Sequence, residues 1–591
     1  MSDDPRWQTE DEPAETIEET IKRLAGLSPR DYEAMRKAEA KRLNWRLSRL
    51  DEEVAGVRRA NGPQSEIVPD PLGRADLHVD EAELPAVASE LATHLARRPM
   101  LFDRGGPVRL AKDAQSDAMK VLPLTVDTVT NECHEVCRPF HLAGTPDEPE
   151  RDYITLPVRV ANLYLDRLDR LGLRPLDGIA RSPLLHDDGS IRTAEGYDNQ
   201  TRLWCERVPT VAVPETPSDA DARAALLHLR MAFRTFCFAD ASRVTDPAYP
   251  VPAVDISKPP GVDESGFLAG LMTAVCRPSL PFAPGLVIRS PQISGAGTGK
   301  GLMVRAICAV AFGAHPRAMT SGHDPAELDK RIVAGLISAD FALFLDNLNS
   351  TALKSDALAS AITERPAYVR PLGRSETVAL NSAAFVIVTG NALTISEDMA
   401  RRFLTVDLDA QTENPEARPF VGNFLGSVQA NRADLLRSAL IVWRWGRLQG
   451  AALKSGKAMG SFQQWARWCR DPLLALGCAD PADRIAATKA QDPRRAALAE
   501  LFTAWWDHHK AADVAVSELH TEVQTLADPM NRGRQYVASR IRNLAGTRVA
   551  SFVLNHHPVK GVWSPDKYSL TKTETETAAP AGVPDDDEGA L

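Results

Sequence analysis

The sequence has no apolar run approaching the roughly 20 residues that cross a bilayer. It also has few cysteines: eight are scattered over 591 residues, which is unlike the dense pairing of a secreted disulfide framework. A net charge of −10 excludes a protein that coats nucleic acid over its whole surface. These absences favour a soluble protein of a reducing compartment, in which any contact with nucleic acid is confined to local basic patches.

The composition is that of an ordinary globular protein, with 44% hydrophobic and 25% charged residues. A chain this long exceeds one hydrophobic core, so we expect about three to five domains. The first 20 residues are acidic and polar, unlike a signal or transit peptide, and predict a cytoplasmic location with no membrane partner. Residues 573–591 end in an acidic run and are expected to form a disordered tail.

Residues 1–80 read as an acidic leader followed by two helices. Ser28 is expected to cap a helix that runs through Tyr32–Leu43, and a second helix follows at Leu47–Val54. The tight joint between them favours a helix-turn-helix-like segment that docks on DNA through residues such as Arg49. The alternative is a charged helical hairpin that packs on the body of the protein.

Residues 81–215 mix helices with short strands and predict an α+β accessory domain. The segment contains Cys133, His134, Cys137 and His141, which are residue types that bind zinc. All four fall within nine residues, where one helix cannot direct them at one point. Partly buried cysteines are therefore the favoured interpretation, with zinc as the alternative.

The candidate catalytic and nucleotide-binding residues fall in residues 216–412, where a glycine-rich loop joins an apolar strand to a helix. Gly285–Ser290 reads as the strand and the helix runs to Phe312. Glycines let backbone N–H groups turn toward phosphates, and a lysine at the helix start reaches the β- and γ-phosphates. The loop predicts a binding site for ATP with Mg²⁺, formed by Ser294, Gly295, Ala296, Gly297, Thr298, Gly299, Lys300, Gly301 and Leu302.

Two positions depart from the phosphate-loop pattern. Ser294 replaces the first glycine, and Gly301 replaces the Ser or Thr that would bind Mg²⁺. A neighbouring hydroxyl, that of Thr298, is then expected to take over as a metal ligand. A chance glycine-rich turn is the alternative interpretation of the loop.

Polar side chains follow two further apolar runs. Asp346 ends the run 341–345 and is the expected metal-binding carboxylate, followed by Asn347. Asn391 ends the run 383–390 and is expected to orient a water molecule near the γ-phosphate.

Arg401 and Arg402 precede the next strand-like run. An arginine offered to the nucleotide of a neighbouring subunit stabilises charge in the transition state. With Lys300, Asp346 and Asn391, these two arginines complete the predicted catalytic set.

The order of phosphate loop, apolar-Asp, strand-Thr-Gly-Asn and paired arginines resembles the AAA+ / superfamily 3 helicase-like P-loop ATPases of plasmids, phages and integrated mobile elements. The resemblance covers most of residues 80–570. It implies an α/β, multidomain fold with a central AAA+-like P-loop ATPase domain, an N-terminal α+β accessory domain and a C-terminal helical plus winged-helix region. It also implies a homo-hexameric ring with ATP between subunits and single-stranded DNA in a central pore.

The activity implied by this resemblance is that of an ATP-dependent DNA helicase or translocase in the replication of a mobile element. Two alternatives stay open. One is a loader of a replication complex with little or no unwinding, and the other is a nucleotide-gated DNA-binding protein. Gly301 and Asn347 favour the latter, because both replace residues that promote hydrolysis in such ATPases.

Residues 366–380 read as a hairpin with its tip near Gly373. A hairpin at this place in related motors enters the pore, so Arg370 and Arg374 are expected to contact DNA phosphates without sequence preference. A surface hairpin with charged edges is the alternative.

Residues 413–510 predict a helical region whose tryptophans form a core, and residues 511–572 a winged-helix-like domain. In the latter, a helix at 536–544 is followed by an expected two-stranded wing, and Arg534, Arg540 and Arg542 are expected to contact DNA. A wing that contacts protein is the alternative.

Overall fold

The structure of the protein is a computed structural model. It describes residues 15–61, 70–114, 118–145, 148–167, 172–293, 295–320, 325–349, 353, 355–371, 377–420, 422–490, 493–558 and 565–572. Within these ranges, no helix has the length and apolar character needed to span a membrane. The chain forms two compact units, residues 1–102 with 123–174, and residues 103–122 with 175–591. The predicted mixed α/β, multidomain fold is confirmed at this level.

The first unit begins with three packed helices: Ile17–Ala25, Pro29–Arg42 and Leu47–Asn61. Ser28 caps the second helix as predicted, because its hydroxyl accepts a hydrogen bond from the Asp31 N–H. The first helix was not predicted, although Thr16 and Glu19 form a capping box that marks its start. The three helices share a small apolar core, so the predicted pair is part of a three-helix bundle.

The rest of the first unit packs helices on a small sheet. The strand Ala75–His78 runs parallel to Cys137–Thr145, which pairs in antiparallel fashion with Glu148–Tyr153. The helices are Leu84–Leu95, Val126–Val136 and Val158–Leu165.

The zinc alternative for the cysteine and histidine segment gains no support from these elements. Cys133 and Cys137 are buried, His134 Nε2 accepts a hydrogen bond from the Leu156 N–H, and the His141 ring bonds the Val79 carbonyl. The Cys133 and Cys137 thiols contact each other, whereas the two histidines are held by backbone groups of other segments.

The second unit contains several small sheets outside its centre. Their strands are Pro107–Lys112 beside Met119–Pro123, Gly178–Ala180, Leu184–Leu185, Ile191–Arg192, Gly196–Asp198, Leu203–Cys205, Arg243–Val244 and Ala253–Val254. Two further short strands, Leu101–Asp103 and Arg174–Pro175, lie where the chain passes from one unit to the other.

A five-stranded parallel sheet forms the centre of the second unit. Its strands are β1 (Gly285–Ser290), β2 (Ala318–Met319), β3 (Ala342–Leu345), β4 (Phe385–Asn391) and β5 (Phe403–Asp407). They lie in the spatial order β2-β3-β4-β1-β5. Since β1, β3 and β4 are buried on both faces and rich in apolar residues, they form continuous apolar runs rather than alternating ones.

Helices cover this sheet. Val262–Cys276 is buried along nearly its whole length and packs on β5 and on the helix Lys300–Phe312. The other helices near the sheet are Asp219–Phe233, Pro325–Ile337, Asp356–Thr363 and Glu397–Ala400. A short antiparallel pair, Ala367–Val369 with Val378–Leu380, forms the base of the predicted hairpin.

A helical region follows the sheet, with helices Phe424–Ala430, Arg432–Gln449, Gln463–Trp465, Asp471–Ala475, Asp483–Ala490 and Pro493–His509. Trp443, Trp465, Trp468 and Trp505 are fully buried, which confirms that they are core residues.

The chain ends in a module of two helices and four antiparallel strands. The helices are Thr521–Ala527 and Arg534–Leu544, and the strands lie in the order Val514–Ala515, Lys567–Lys572, Phe552–His557, Arg548–Val549. The two strands expected after the helix are the longer pair of a four-stranded sheet. The two edge strands have only two residues each, which is too short to show a periodic pattern in the sequence.

Candidate nucleotide-binding site

The glycine-rich loop lies at a switch point of the central sheet. The chain leaves β1 toward β2 at one edge of the sheet and leaves β4 toward β5 at the other, although β1 and β4 are neighbours. Ligands of open α/β sheets bind in the crevice at the carboxyl ends of such a strand pair. The loop after Ser290 and the end of β4 at Asn391 both face this crevice, since Ser290 pairs with Asn391 in register.

Lys300 is held in the crevice by four oxygen atoms. Its Nζ donates to Gly295 O (2.7 Å), Asn391 Oδ1 (2.7 Å), Ser290 Oγ (2.5 Å) and Thr298 Oγ1 (3.2 Å). Burial lowers the pKa of the Lys300 ammonium, and the charges of Cys237 and Asp346 oppose this shift. The four acceptors are neutral groups, so none of these hydrogen bonds pairs the ammonium directly with a carboxylate.

Gly297 is required by its backbone conformation and by its surroundings. Its φ of +72° lies in the left-handed region that favours glycine. A Cβ atom built there would lie 2.6 Å from the backbone N and Cα of Glu416. Arg418 fixes the same segment, because its Nη2 donates to Gly297 O at 3.2 Å. The segment around residues 415–418 therefore closes over the loop.

Gly301 differs from Gly297. It lies in the first turn of the helix Lys300–Phe312, and a Cβ atom there would meet only the end of the flexible Arg305 side chain, at 3.2 Å. The backbone geometry thus accepts a side chain at this position. The missing Ser or Thr is a property of the sequence rather than a steric necessity.

Asp346 directly follows β3, which pairs with β4. Its Oδ1 accepts a hydrogen bond from Thr389 Oγ1 at 2.6 Å, and the Thr389 hydroxyl also accepts from the Asn347 N–H at 3.2 Å. Since β4 lies between β1 and β3, Asp346 and Lys300 approach the crevice from opposite sides of Asn391. The structure therefore brings Lys300, Asn391 and Asp346 together.

Two residues of this cluster were missed in the sequence. Asn349 Oδ1 accepts from the Asn391 N–H at 2.7 Å, and its Nδ2 donates to Asn347 Oδ1 at 2.7 Å. Ser290 ends β1 and its hydroxyl lies 3.1 Å from Asn391 Oδ1. Neither residue belongs to a spacing pattern. Ser290 is brought beside Asn391 by the pairing of β1 with β4, and Asn349, which follows β3, by its hydrogen bond to the Asn391 N–H.

Arg401 and Arg402 lie at the amino ends of the strands, opposite the glycine-rich loop. They precede β5, and the Arg402 carbonyl accepts a hydrogen bond from the N–H of Gly285 at the start of β1. A six-residue strand is roughly 20 Å long, which separates both arginines from the loop of their own chain. Arg401 is exposed and bonds Asp398, whereas Arg402 is half-buried and donates to Thr363 Oγ1 at 3.1 Å.

A cavity of about 920 Å³ adjoins the loop. Gly297, Thr298 and Gly299 form one wall, and Phe236, Phe424 and Tyr249 contribute aromatic surface. The Phe236 and Phe424 rings are in edge contact, with centroids 5.4 Å apart. Size and apolar lining suit a planar, partly apolar ligand group held next to the phosphate loop.

The residues present fit a nucleotide with its metal ion. The Lys300 ammonium is paired with neutral oxygens that phosphate oxygens can replace, and the adjoining cavity has room for a base and a sugar. Asp346 and the buried Thr298 hydroxyl are oxygen ligands of the type that Mg²⁺ prefers. Ala296 is exposed and Leu302 lines the cavity, while Ser294 lies outside the described residues.

The predicted DNA contacts of the hairpin are only partly described. Arg370 is exposed directly after the strand Ala367–Val369, whereas Arg374 and Gly373 lie outside the described residues.

The arginines of the helix Arg534–Leu544 do not share one face. Arg534 and Arg542 are exposed and line a common cavity of about 320 Å³, but Arg540 donates to Ala527 O at 2.8 Å and ties two helices together.

Comparisons with known proteins assign no family. No family model matches the chain, and no curated protein matches it. Two solved structures of the NrS-1 C-terminal region, both in an A form without ligand, are similar to 78% of this chain and 96% of their own, with 12% identity and a TM-score of 0.34. Similarity at this level carries no functional assignment.

Substituting the two glycines tests the loop geometry. Gly297→Ala is expected to lower the free energy of unfolding by about 1–2 kcal/mol, because alanine resists the left-handed conformation, with a further loss from contact with Glu416. Gly301→Ala is the matched control and is expected to be neutral or to stabilise the helix by up to about 1 kcal/mol. Urea unfolding measures both, and equal losses for the two variants would contradict this account.

Proposed function

We propose that the chain is an ATP-binding P-loop ATPase of the AAA+ / superfamily 3 helicase-like type that acts on DNA. The observation that carries the proposal is the Lys300 ammonium beside the glycine-rich loop, bonded to four neutral oxygens. In such a site the loop N–H groups and Lys300 hold the phosphates. The neighbouring cavity with Phe236 and Phe424 takes the base.

Asp346 and Thr298 are proposed to hold Mg²⁺, which supplies charge neutralisation at the phosphates when it is bound. Asn391 has its side-chain oxygen on Lys300 and its backbone N–H on Asn349. This fixed position suits a side chain that orients water at the γ-phosphate. Thr389 keeps the Asp346 carboxylate turned toward the same crevice.

A ring assembly is supported by the placement of Arg401. It is exposed at the edge of the sheet remote from the loop of its own chain, so a role at a nucleotide would have to be at that of another subunit. We propose a homo-hexamer, with single-stranded DNA held in a central pore. Arg370 and Arg374 of the hairpin are the proposed pore contacts, and the C-terminal module is proposed to act as a winged-helix-like DNA-binding domain.

Replacing Lys300 tests nucleotide binding directly. Lys300→Ala is expected to weaken binding of a fluorescent ATP analogue about 10- to 100-fold, because a charge-assisted contact contributes about 1.5–3 kcal/mol. ATP hydrolysis stimulated by single-stranded DNA is expected to disappear. Lys454→Ala, at an exposed lysine of the same unit, is the control and should keep both activities. Absence of hydrolysis by the unmodified protein, with or without DNA, would overturn the ATPase proposal.

Mixing subunits tests the role of Arg401. Arg401→Ala is expected to leave nucleotide binding intact and to lower the hydrolysis rate about 10³-fold or more, as for arginine fingers in general. An equal mixture of Arg401→Ala and Lys300→Ala subunits should regain part of the activity, since some interfaces then combine an intact loop with an intact arginine. Hydrolysis rates of each variant and of the mixture measure this effect. An inactive mixture that still assembles would exclude a role in trans.

The salt dependence of DNA binding tests the C-terminal module. Replacing both Arg534 and Arg542 by alanine is expected to weaken binding and to reduce the slope of log K against log salt by about 2, one per lost phosphate contact. Fluorescence anisotropy over a range of salt concentrations measures the slope. Gln535→Ala, at an exposed neutral position of the same helix, should leave the slope unchanged. An unaltered slope in the double variant would place the DNA contacts elsewhere.

A second function is favoured by Gly301 and Asn347. Gly301 provides no metal ligand, and Asn347 follows Asp346 with its side chain bonded to Asn349. These residues suit a nucleotide-gated DNA-binding protein that retains ATP. Nucleotide binding without phosphate release would establish this alternative, whereas strand displacement would separate a helicase from a loader.

A further inference from the structure

Three metal-ligating side chains meet where the helix Pro493–His509 packs on the C-terminal module, far along the chain from the candidate nucleotide site. One ring nitrogen of His508, one of His520 and one carboxylate oxygen of Glu522 all lie within 4.8 Å of one another. All three side chains are exposed. Among the residues that the structure describes, this is the one group of three or more such side chains whose ligand atoms come this close.

The three residues come from two different helices. His508 is in the last turn of Pro493–His509, while His520 is the N-cap of Thr521–Ala527 and Glu522 belongs to its first turn. The imidazole rings of His508 and His520 are stacked, with centroids 3.6 Å apart and an interplanar angle of 16°. His508 Nε2 lies 2.8 Å from Glu522 Oε2. The cluster therefore bridges two helices that the chain joins through a loop and a short strand.

His509 holds the bridge in position. Its Nε2 accepts a hydrogen bond from the His520 N–H at 3.0 Å, and its ring is in edge contact with the fully buried Trp505. This contact fixes the backbone of His520 relative to the end of the first helix. Ligands fixed on rigid elements lose little conformational entropy when they bind a metal.

We propose that His508, His520 and Glu522 bind a divalent transition metal ion, of which Zn²⁺ is the best-suited example. Two imidazole nitrogens and a carboxylate oxygen are ligands that zinc accepts, at about 2.0–2.2 Å. Tetrahedral ligands at these distances lie about 3.3 Å apart, so the three ligand atoms, now within 4.8 Å of one another, have to move closer around the ion. The stacked imidazole rings also have to turn out of their parallel arrangement, because a ring nitrogen binds a metal in the plane of its own ring. Exposure leaves the fourth position to water or to a group from a partner, which makes the ion exchangeable.

The bound ion would fasten the helix Pro493–His509 to the helix Thr521–Ala527. His508 and Glu522 already contact each other, and the ion replaces this single hydrogen bond by bonds to both side chains and to His520. Metal binding to the folded state alone raises its stability. The proposal does not depend on nucleotide or DNA binding.

The test uses the full chain, without a histidine tag and stripped of metal by a chelator. Titration with Zn²⁺ is expected to show one tight equivalent and a rise in the melting temperature, and Co²⁺ should give the visible absorption of a low-symmetry site. Glu522→Gln and His508→Gln are each expected to weaken Zn²⁺ binding at least tenfold. Both residues are exposed, so circular dichroism should show an unchanged fold.

His315→Gln is the matched control, because His315 is an exposed histidine of the same unit outside the cluster. It is expected to bind Zn²⁺ as the unmodified protein does. The proposal is overturned if the unmodified protein takes up no Zn²⁺. It is equally overturned if the Glu522 and His508 variants bind Zn²⁺ with unchanged affinity.

Discussion

The candidate site depends on the hydrogen bonding of one half-buried ammonium group. Lys300 begins the helix after the loop, and a cation partly removed from water requires acceptors. The acceptors come from three places in the chain: the end of β1, the loop itself and the end of β4. None of them is a carboxylate. The arrangement therefore fixes the lysine without neutralising its charge, and this is what an anion-binding site needs.

The strand order of the central sheet makes this arrangement possible. β4 lies between β1 and β3, so its last residue, Asn391, meets Lys300 on one side and the turn after Asp346 on the other. If another strand lay between β4 and β1, Asn391 would be too far away to accept a hydrogen bond from Lys300. The position of Asp346 is secured in the same way, through Thr389 two residues earlier in β4.

The sheet also separates the glycine-rich loop from the two arginines that precede β5. The loop occupies the carboxyl ends of the strands, whereas Arg401 and Arg402 precede β5 at the amino ends. A single chain thus has the glycine-rich loop at the carboxyl ends of the strands and an exposed arginine at their amino ends, and this polarity is compatible with the proposed ring of identical subunits. The acidic net charge of the protein is compatible with this view, because the proposed DNA contacts are local arginines rather than a general basic surface.

The sequence by itself determined the local parts of the protein. The apolar runs of β1, β3 and β4, the glycine loop and the cap at Ser28 are short-range patterns, and the structure contains each of them. The grouping of Lys300 with Ser290 and Asn391 was decided only by strand pairing between segments about 100 residues apart in the chain. The histidine cluster at His508 likewise required two helices to meet. Spacing along a chain reports hydrophobic period and backbone preference, whereas contacts between distant segments arise from packing that no local pattern encodes.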